Sequence, residues 1–110
     1  MSNGSGVAVA GQEIKVTLGY KPSDVWLFFY KNDTHFLQLD YHESFSTSRS
    51  LAAYKNGASD SNSFFGLYPL PYTGAYPRIK SIDDDGFTTT TIPQSLINEY
   101  GSTYIWSANK

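Results

Sequence analysis

The chain has 110 residues, a formal charge of −2 and no cysteine. That is room for one domain with a single modest core. It excludes disulfides, thiolate metal sites and a cysteine nucleophile, and the acidic balance speaks against an electrostatic nucleic-acid binder. Charged and aromatic residues each make up 16%, and there are nine tyrosines. Such a surface is built of hydroxyls, amides and tyrosines rather than ion pairs, as in paratopes, sugar-binding faces and subunit interfaces.

The opening residues, Met1-Ser2-Asn3-Gly4-Ser5-Gly6, lack the charged and apolar regions of a secretory signal. They read as a flexible polar arm over residues 1–12, with one domain over 13–110. Gly4-Ser5-Gly6 has no strand-to-helix setting for a phosphate loop. No run reaches the roughly 20 apolar residues of a membrane span, so no membrane insertion is expected. Ile14, Val16 and Leu18 alternate with Lys15 and Thr17, the period of a half-buried strand. Gly19-Tyr20-Lys21-Pro22-Ser23-Asp24 breaks it. Val25-Trp26-Leu27-Phe28-Phe29-Tyr30 is apolar on both faces, which predicts a central strand covered on both sides. After the turn Lys31-Asn32-Asp33-Thr34, alternation resumes from His35 with Leu37, Leu39 and Tyr41 on the core face, a strand–turn–strand meander.

Residues 44–50 are rich in hydroxyls, Leu51-Ala52-Ala53-Tyr54 suits a strand or a helical turn, and 56–63 is a loop by composition. Residues 64–77 hold Pro69, Pro71 and Pro77 among five aromatics. Prolines exclude a regular central strand, so this stretch reads as a long functional or interface loop, with Phe65, Tyr68, Tyr72 and Tyr76 as the ligand or partner contacts. Near the end, an alternating run meets Asp83-Asp84-Asp85-Gly86, where Gly86 supplies a positive φ for a tight turn. Thr88-Thr89-Thr90-Thr91 follows as a strand whose hydroxyls pair across the sheet. Pro93 and Gly101 bracket the one helical segment, two turns at most. A closing strand carries Tyr104 and Trp106. The fold expected is an all-β, single-domain antiparallel sandwich, jelly-roll-like or immunoglobulin-like, of six to eight short strands.

Candidate chemistry is sparse. His42 lies two residues from Asp40, on one face of an extended strand, but no nucleophile motif accompanies it. His35 opens its strand after a turn. The three aspartates lack the ligand spacing and closing glutamate of a calcium loop, so they read as a solvated turn. Neither metal nor cofactor is expected, and Trp26 and Trp106 read as core or interface packing.

Three phrases, taken in order, carry a likeness: Thr17-Leu18-Gly19-Tyr20-Lys21-Pro22-Ser23-Asp24-Val25-Trp26-Leu27, then Ile82-Asp83-Asp84-Asp85-Gly86-Phe87-Thr88, then Gly101-Ser102-Thr103-Tyr104-Ile105-Trp106-Ser107-Ala108. Together they resemble a β-sandwich module that recurs in bacteriophage tail-fibre and related virion proteins, over about residues 14–108. Residues 43–77 take no part in it, so no binding residue carries over there. The resemblance implies a non-enzymatic virion structural protein, of tail fibre, baseplate or head-fibre decoration, made in the bacterial host cytoplasm. It contacts other virion proteins or a host-surface glycan, and is expected as a homotrimer. The module ordinarily ends a longer fibre, whereas this chain opens at a methionine and carries little else, so a free-standing small virion protein is expected. Two other readings stand beside it: a lectin-like carbohydrate-binding module of non-viral origin, and a small hydrolase using His42.

Overall fold

A computed structural model describes residues 1–45 and 49–110. The described strands are β1 (Ser2–Val7), β2 (Lys15–Thr17), β3 (Asp24–Asn32), β4 (His35–His42), β5 (Arg49–Asn56), β6 (Ser63–Pro69), β7 (Ile79–Asp83), β8 (Gly86–Thr89) and β9 (Thr103–Asn109). One α-helix, α1 (Gln94–Tyr100), precedes β9, and a 3-10 turn (Asp60–Asn62) precedes β6. The fold is the expected all-β sandwich, with more strands than the six to eight anticipated. The middle of the hydroxyl-rich stretch, residues 46–48, lies outside the described residues.

Six strands form one antiparallel sheet in the order β1-β9-β3-β4-β5-β6, and three form a second in the order β2-β8-β7. From β3 to β6 the large sheet is a plain meander, each strand pairing with the next. Its inner face presents Val25, Leu27 and Phe29 from β3, Leu37 and Leu39 from β4, Ala52 from β5 and Ala108 from β9, all buried. The small sheet and helix close over them with Ile14, Ile79, Phe87, Ile92 and Leu96. Pro93 stands at the helix N-cap, and Gly101 ends the helix with φ 84°, its amide donating to the Ile97 carbonyl.

Three expectations are corrected. The polar arm is a strand over Ser2–Val7, paired in register with β9. Its glycines are a packing requirement: an added Cβ at Gly4 would meet the Trp106 indole at 2.7 Å, and one at Gly6 would meet the Tyr104 ring. Gly86 is not at positive φ. The two-residue hairpin loop is Asp84-Asp85, and Gly86 opens β8 where that strand runs so close to β2 that a Cβ would be driven into the Val16 carbonyl. Finally, residues 64–77 are not one loop. Ser63–Pro69 is β6, the edge strand of the large sheet, where a proline at the strand end leaves no interior ladder bond unmade.

Of the threonine run expected as a strand, only Thr88 and Thr89 belong to β8; Thr90 and Thr91 lie past its end. Thr89 is fully buried; its hydroxyl accepts from the Ile14 amide at 2.9 Å and donates to the Thr90 carbonyl at 2.8 Å. Asp83 anchors the same hairpin. Its carboxylate accepts from the Ser81 and Thr88 hydroxyls, each at 2.7 Å, and from Lys15 Nζ at 3.4 Å. Burial pushes this carboxyl up, but the hydroxyls and the lysine outweigh it and hold Asp83 below the usual carboxylate range.

Candidate functional site

The large sheet has two unlike faces. Side chains alternate along a strand, so the partners of the buried inner set point outward: Trp26, Phe28 and Tyr30 on β3, Phe36 on β4, Leu51 on β5, Phe65 and Leu67 on β6, Ile105 on β9 and Val7 on β1. None of these is buried. Phe65 is 74% exposed, Leu67 53% and Ile105 45%. The rings rest on one another: Trp26 stacks on Phe28 at 5.3 Å, and Phe28 meets Phe36 at 5.8 Å and Tyr30 at 6.0 Å. The central run of β3 is therefore apolar on both faces, as its sequence says, but the described residues cover only one of them. With six strands about 4.8 Å apart, the face is roughly 24 Å wide.

The face carries charged residues at both ends, Asp40 and Arg49 towards one and Lys55 towards the other. Asp40 stands near one end, its carboxylate accepting from Gln38 Nε2 at 2.7 Å; burial raises its carboxyl, an effect that this hydrogen bond partly offsets. Lys55 stands near the other end, beside Phe36 in register. The Asp40–His42 pair considered for acid–base work is not formed. His42 Nδ1 instead accepts from the Ser44 amide at 3.1 Å and meets the Ser44 hydroxyl at 2.5 Å, a local clasp at the end of β4. His35 bridges the β3–β4 turn to the helix, with Nδ1 2.9 Å from Thr34 Oγ1 and Nε2 3.7 Å from Glu99.

The four aromatic residues expected to make one contact surface are split. Phe65 belongs to the outer face. Tyr68, on the inward side of β6, carries the Arg78 guanidinium, whose Cζ lies 4.3 Å from the ring centroid, and it meets Tyr72 edge-on at 5.7 Å. Tyr76 is 66% exposed, with Arg78 Cζ 5.4 Å from its ring. Tyr68 and Tyr76, with Tyr54, Phe64 and Tyr100, surround a cavity of about 470 Å³ at the end of the sandwich. Arg78, only 5% exposed, lines it too. Its Nη1 donates to the Pro77 carbonyl at 2.7 Å and its Nη2 to the Tyr68 hydroxyl at 3.0 Å. Thr90 fixes its backbone: the Arg78 amide donates to Thr90 Oγ1 at 2.9 Å, and the same hydroxyl donates to the Tyr76 carbonyl at 2.9 Å. Burial, then the neighbouring Tyr54 and Glu99, push the Tyr100 hydroxyl up to about 12, against a smaller pull from Arg78 and Asn56. Tyr100 is therefore a neutral hydrogen-bonding group at neutral pH.

Sequence reasoning did not single out Arg78. A signal was present: it is the first charge after a charge-free stretch from Ser61 to Pro77 that is crowded with rings. The tryptophans also divide. Trp106 packs edge-on against Phe87 at 6.0 Å on the inner side, while Trp26 lies on the uncovered face. Comparison with protein-family models, with curated proteins and with solved structures finds no match.

Proposed function

We propose that this protein is a non-enzymatic structural subunit that assembles with further copies of itself through the outer face of its large sheet. On the sequence resemblance, the assembly is part of a bacteriophage virion: a tail fibre, baseplate or head decoration, presented to neighbouring virion proteins or to the host surface. The observation that carries this reading is the uncovered aromatic face. Monomers seldom leave a contiguous apolar patch beyond a few hundred Å² in water, and aromatic side chains are the residues that dominate protein–protein contacts.

A second copy of the chain suits the face for two reasons. Its six strands make it broad, so like faces meet with aromatic rings against aromatic rings. Two copies placed face to face with strands antiparallel also bring Asp40 of one, which shares its end with Arg49, towards Lys55 of the other. This pairing closes at two copies; the resemblance implies three, in which the same face would meet a different surface of its neighbour.

Light scattering of the full chain tests this. The expected mass is a multiple of 12.2 kDa, two copies for the face-to-face pairing and three for the stoichiometry that the resemblance implies, and Ile105→Lys reduces it to one copy while the circular dichroism stays that of the wild type. Any other oligomer broken by Ile105→Lys keeps the face and corrects the stoichiometry. A wild-type chain that stays monomeric at the highest concentration reached overturns the proposal.

A further inference from the structure

On the inner side of the same sheet, Arg78 presents a charge without a counterion. A guanidinium stays protonated at any pH a protein survives, and withdrawing it from water is costly unless an anion is set against it. Yet Arg78 takes part in no ion pair among the described residues, whereas Lys15, Lys80 and His35 each do. Its two hydrogen bonds go to neutral oxygens, and its Nε is buried with no partner at all. The other buried polar side-chain atom left unpaired among the described residues, Ser50 Oγ, stands directly across the sheet from Tyr68. Both orphans thus adjoin the tyrosine that supports the guanidinium.

The surroundings select among anions. The cavity is of small-molecule size, and the residues that line it join aromatic rings to polar groups: Tyr54, Tyr100 and Glu99 among them. Tyr76 stands largely exposed and forms a platform beside the guanidinium. An inorganic ion would use the charge and leave the walls unused. A sugar ring uses both, with an apolar face for a tyrosine and hydroxyls for the polar groups, Glu99 accepting from them. A ring carboxylate supplies the missing counterion in the bidentate geometry that arginine favours.

We propose that the Arg78 cavity is a binding site for an acidic saccharide, with its carboxylate paired to the Arg78 guanidinium and its ring laid against Tyr76. Thr90 is the positioning residue: its one hydroxyl holds the Arg78 amide and the Tyr76 carbonyl together, which sets the charge and the platform in fixed relation. The site is independent of self-association, because the cavity and the assembly face lie on opposite sides of the large sheet.

Nuclear magnetic resonance titration of the ¹⁵N-labelled full chain tests the site, reading the Arg78 Nε–H and the Tyr76 ring. The probes are glucuronate, N-acetylneuraminate, glucose and inorganic phosphate, each at the same concentrations. At least one acidic sugar is expected to shift both signals saturably, at least roughly tenfold more tightly than glucose or phosphate. Tyr76→Ala, at an exposed position and so safe for folding, weakens that binding about fivefold or more. Arg78→Lys keeps the charge but loses the fork, and weakens it about tenfold. Glucose binding as tightly as glucuronate would show that the charge is not read. Phosphate binding as tightly would show that the ring is not read. Either result, an unaltered affinity in Tyr76→Ala, or no saturable shift with either acidic sugar overturns the proposal.

Discussion

Phe28 and Phe29 are neighbours on one strand, yet they inhabit different environments. Phe29 is fully buried between the large sheet and the layer above it. Phe28, half-buried, leans on Trp26, Tyr30 and Phe36 with no described element over it. The same contrast runs along β4 and β9, with Leu37 and Leu39 set against Phe36, and Trp106 against Ile105. The inner face spends its apolar surface on folding the chain. The outer face keeps apolar residues of its own that the described fold does not bury, and the proposed assembly is what they would serve. An apolar residue on a strand is thus not by itself a statement about the core.

Substitutions on the two faces should separate stability from assembly. The largest effect is expected at Phe29→Ala, which leaves a cavity in the core and costs about 3–5 kcal/mol in urea unfolding. Phe28→Ala, one residue away, costs the isolated monomer only about 1 kcal/mol, because its side chain is already half in water, yet it weakens self-association. Equal losses of stability at both positions would erase the distinction between the faces.

Next in size is Gly4→Ala, about 1–3 kcal/mol, since the new methyl group has to displace the Trp106 indole. Gly11→Ala has open space around it and is strained only by its φ of 86°; about 1 kcal/mol is expected there. Thr89→Val, close in shape, strands the buried Ile14 amide and costs about 1–3 kcal/mol.

The smallest effects are in pH dependence, and they have opposite signs. Asp83 has a lowered carboxyl in the fold, so its contribution is present above the unfolded value of about 3.9 and is lost as pH falls through the lower folded value. Asp83→Asn should flatten the acid limb of the stability profile. Asp40 has a raised carboxyl, so its contribution is present below the unfolded value and is lost as pH rises through the folded one. Asp40→Asn should therefore make the monomer slightly more stable at neutral pH. A profile unchanged in both variants would remove the electrostatic distinction between the hairpin and the outer face.

Much of the scaffold was legible because it is written in local chemistry. Alternation at Ile14-Val16-Leu18 and at Leu37-Leu39-Tyr41 marks the core face, and Pro93 with Gly101 brackets the helix. What escaped depends on contacts distant in sequence. Gly4 and Gly6 look like a flexible tail until the rings of Trp106 and Tyr104, a hundred residues on, are laid over them. Gly86 looks like a turn glycine, but its constraint comes from the Val16 carbonyl on another strand. The aromatic run of β3 announces two apolar faces without saying who covers the second. The stretch read as one aromatic loop divides: Tyr68 and Tyr76 line a cavity, Phe65 points the other way, and the charge that lines the same cavity stands just past the last proline of the stretch.

The two tryptophans provide the most direct test, because one lies on each face. With Trp106→Phe, the emission of Trp26 reports the outer face; with Trp26→Phe, that of Trp106 reports the inner one. Acrylamide quenching is followed in each variant as protein concentration is raised. The expected result is that Trp26 becomes protected and shifts to the blue as copies associate, while Trp106 stays constant throughout. Trp26 remaining equally quenchable at every concentration would contradict the claim that this sheet folds with one face and assembles with the other.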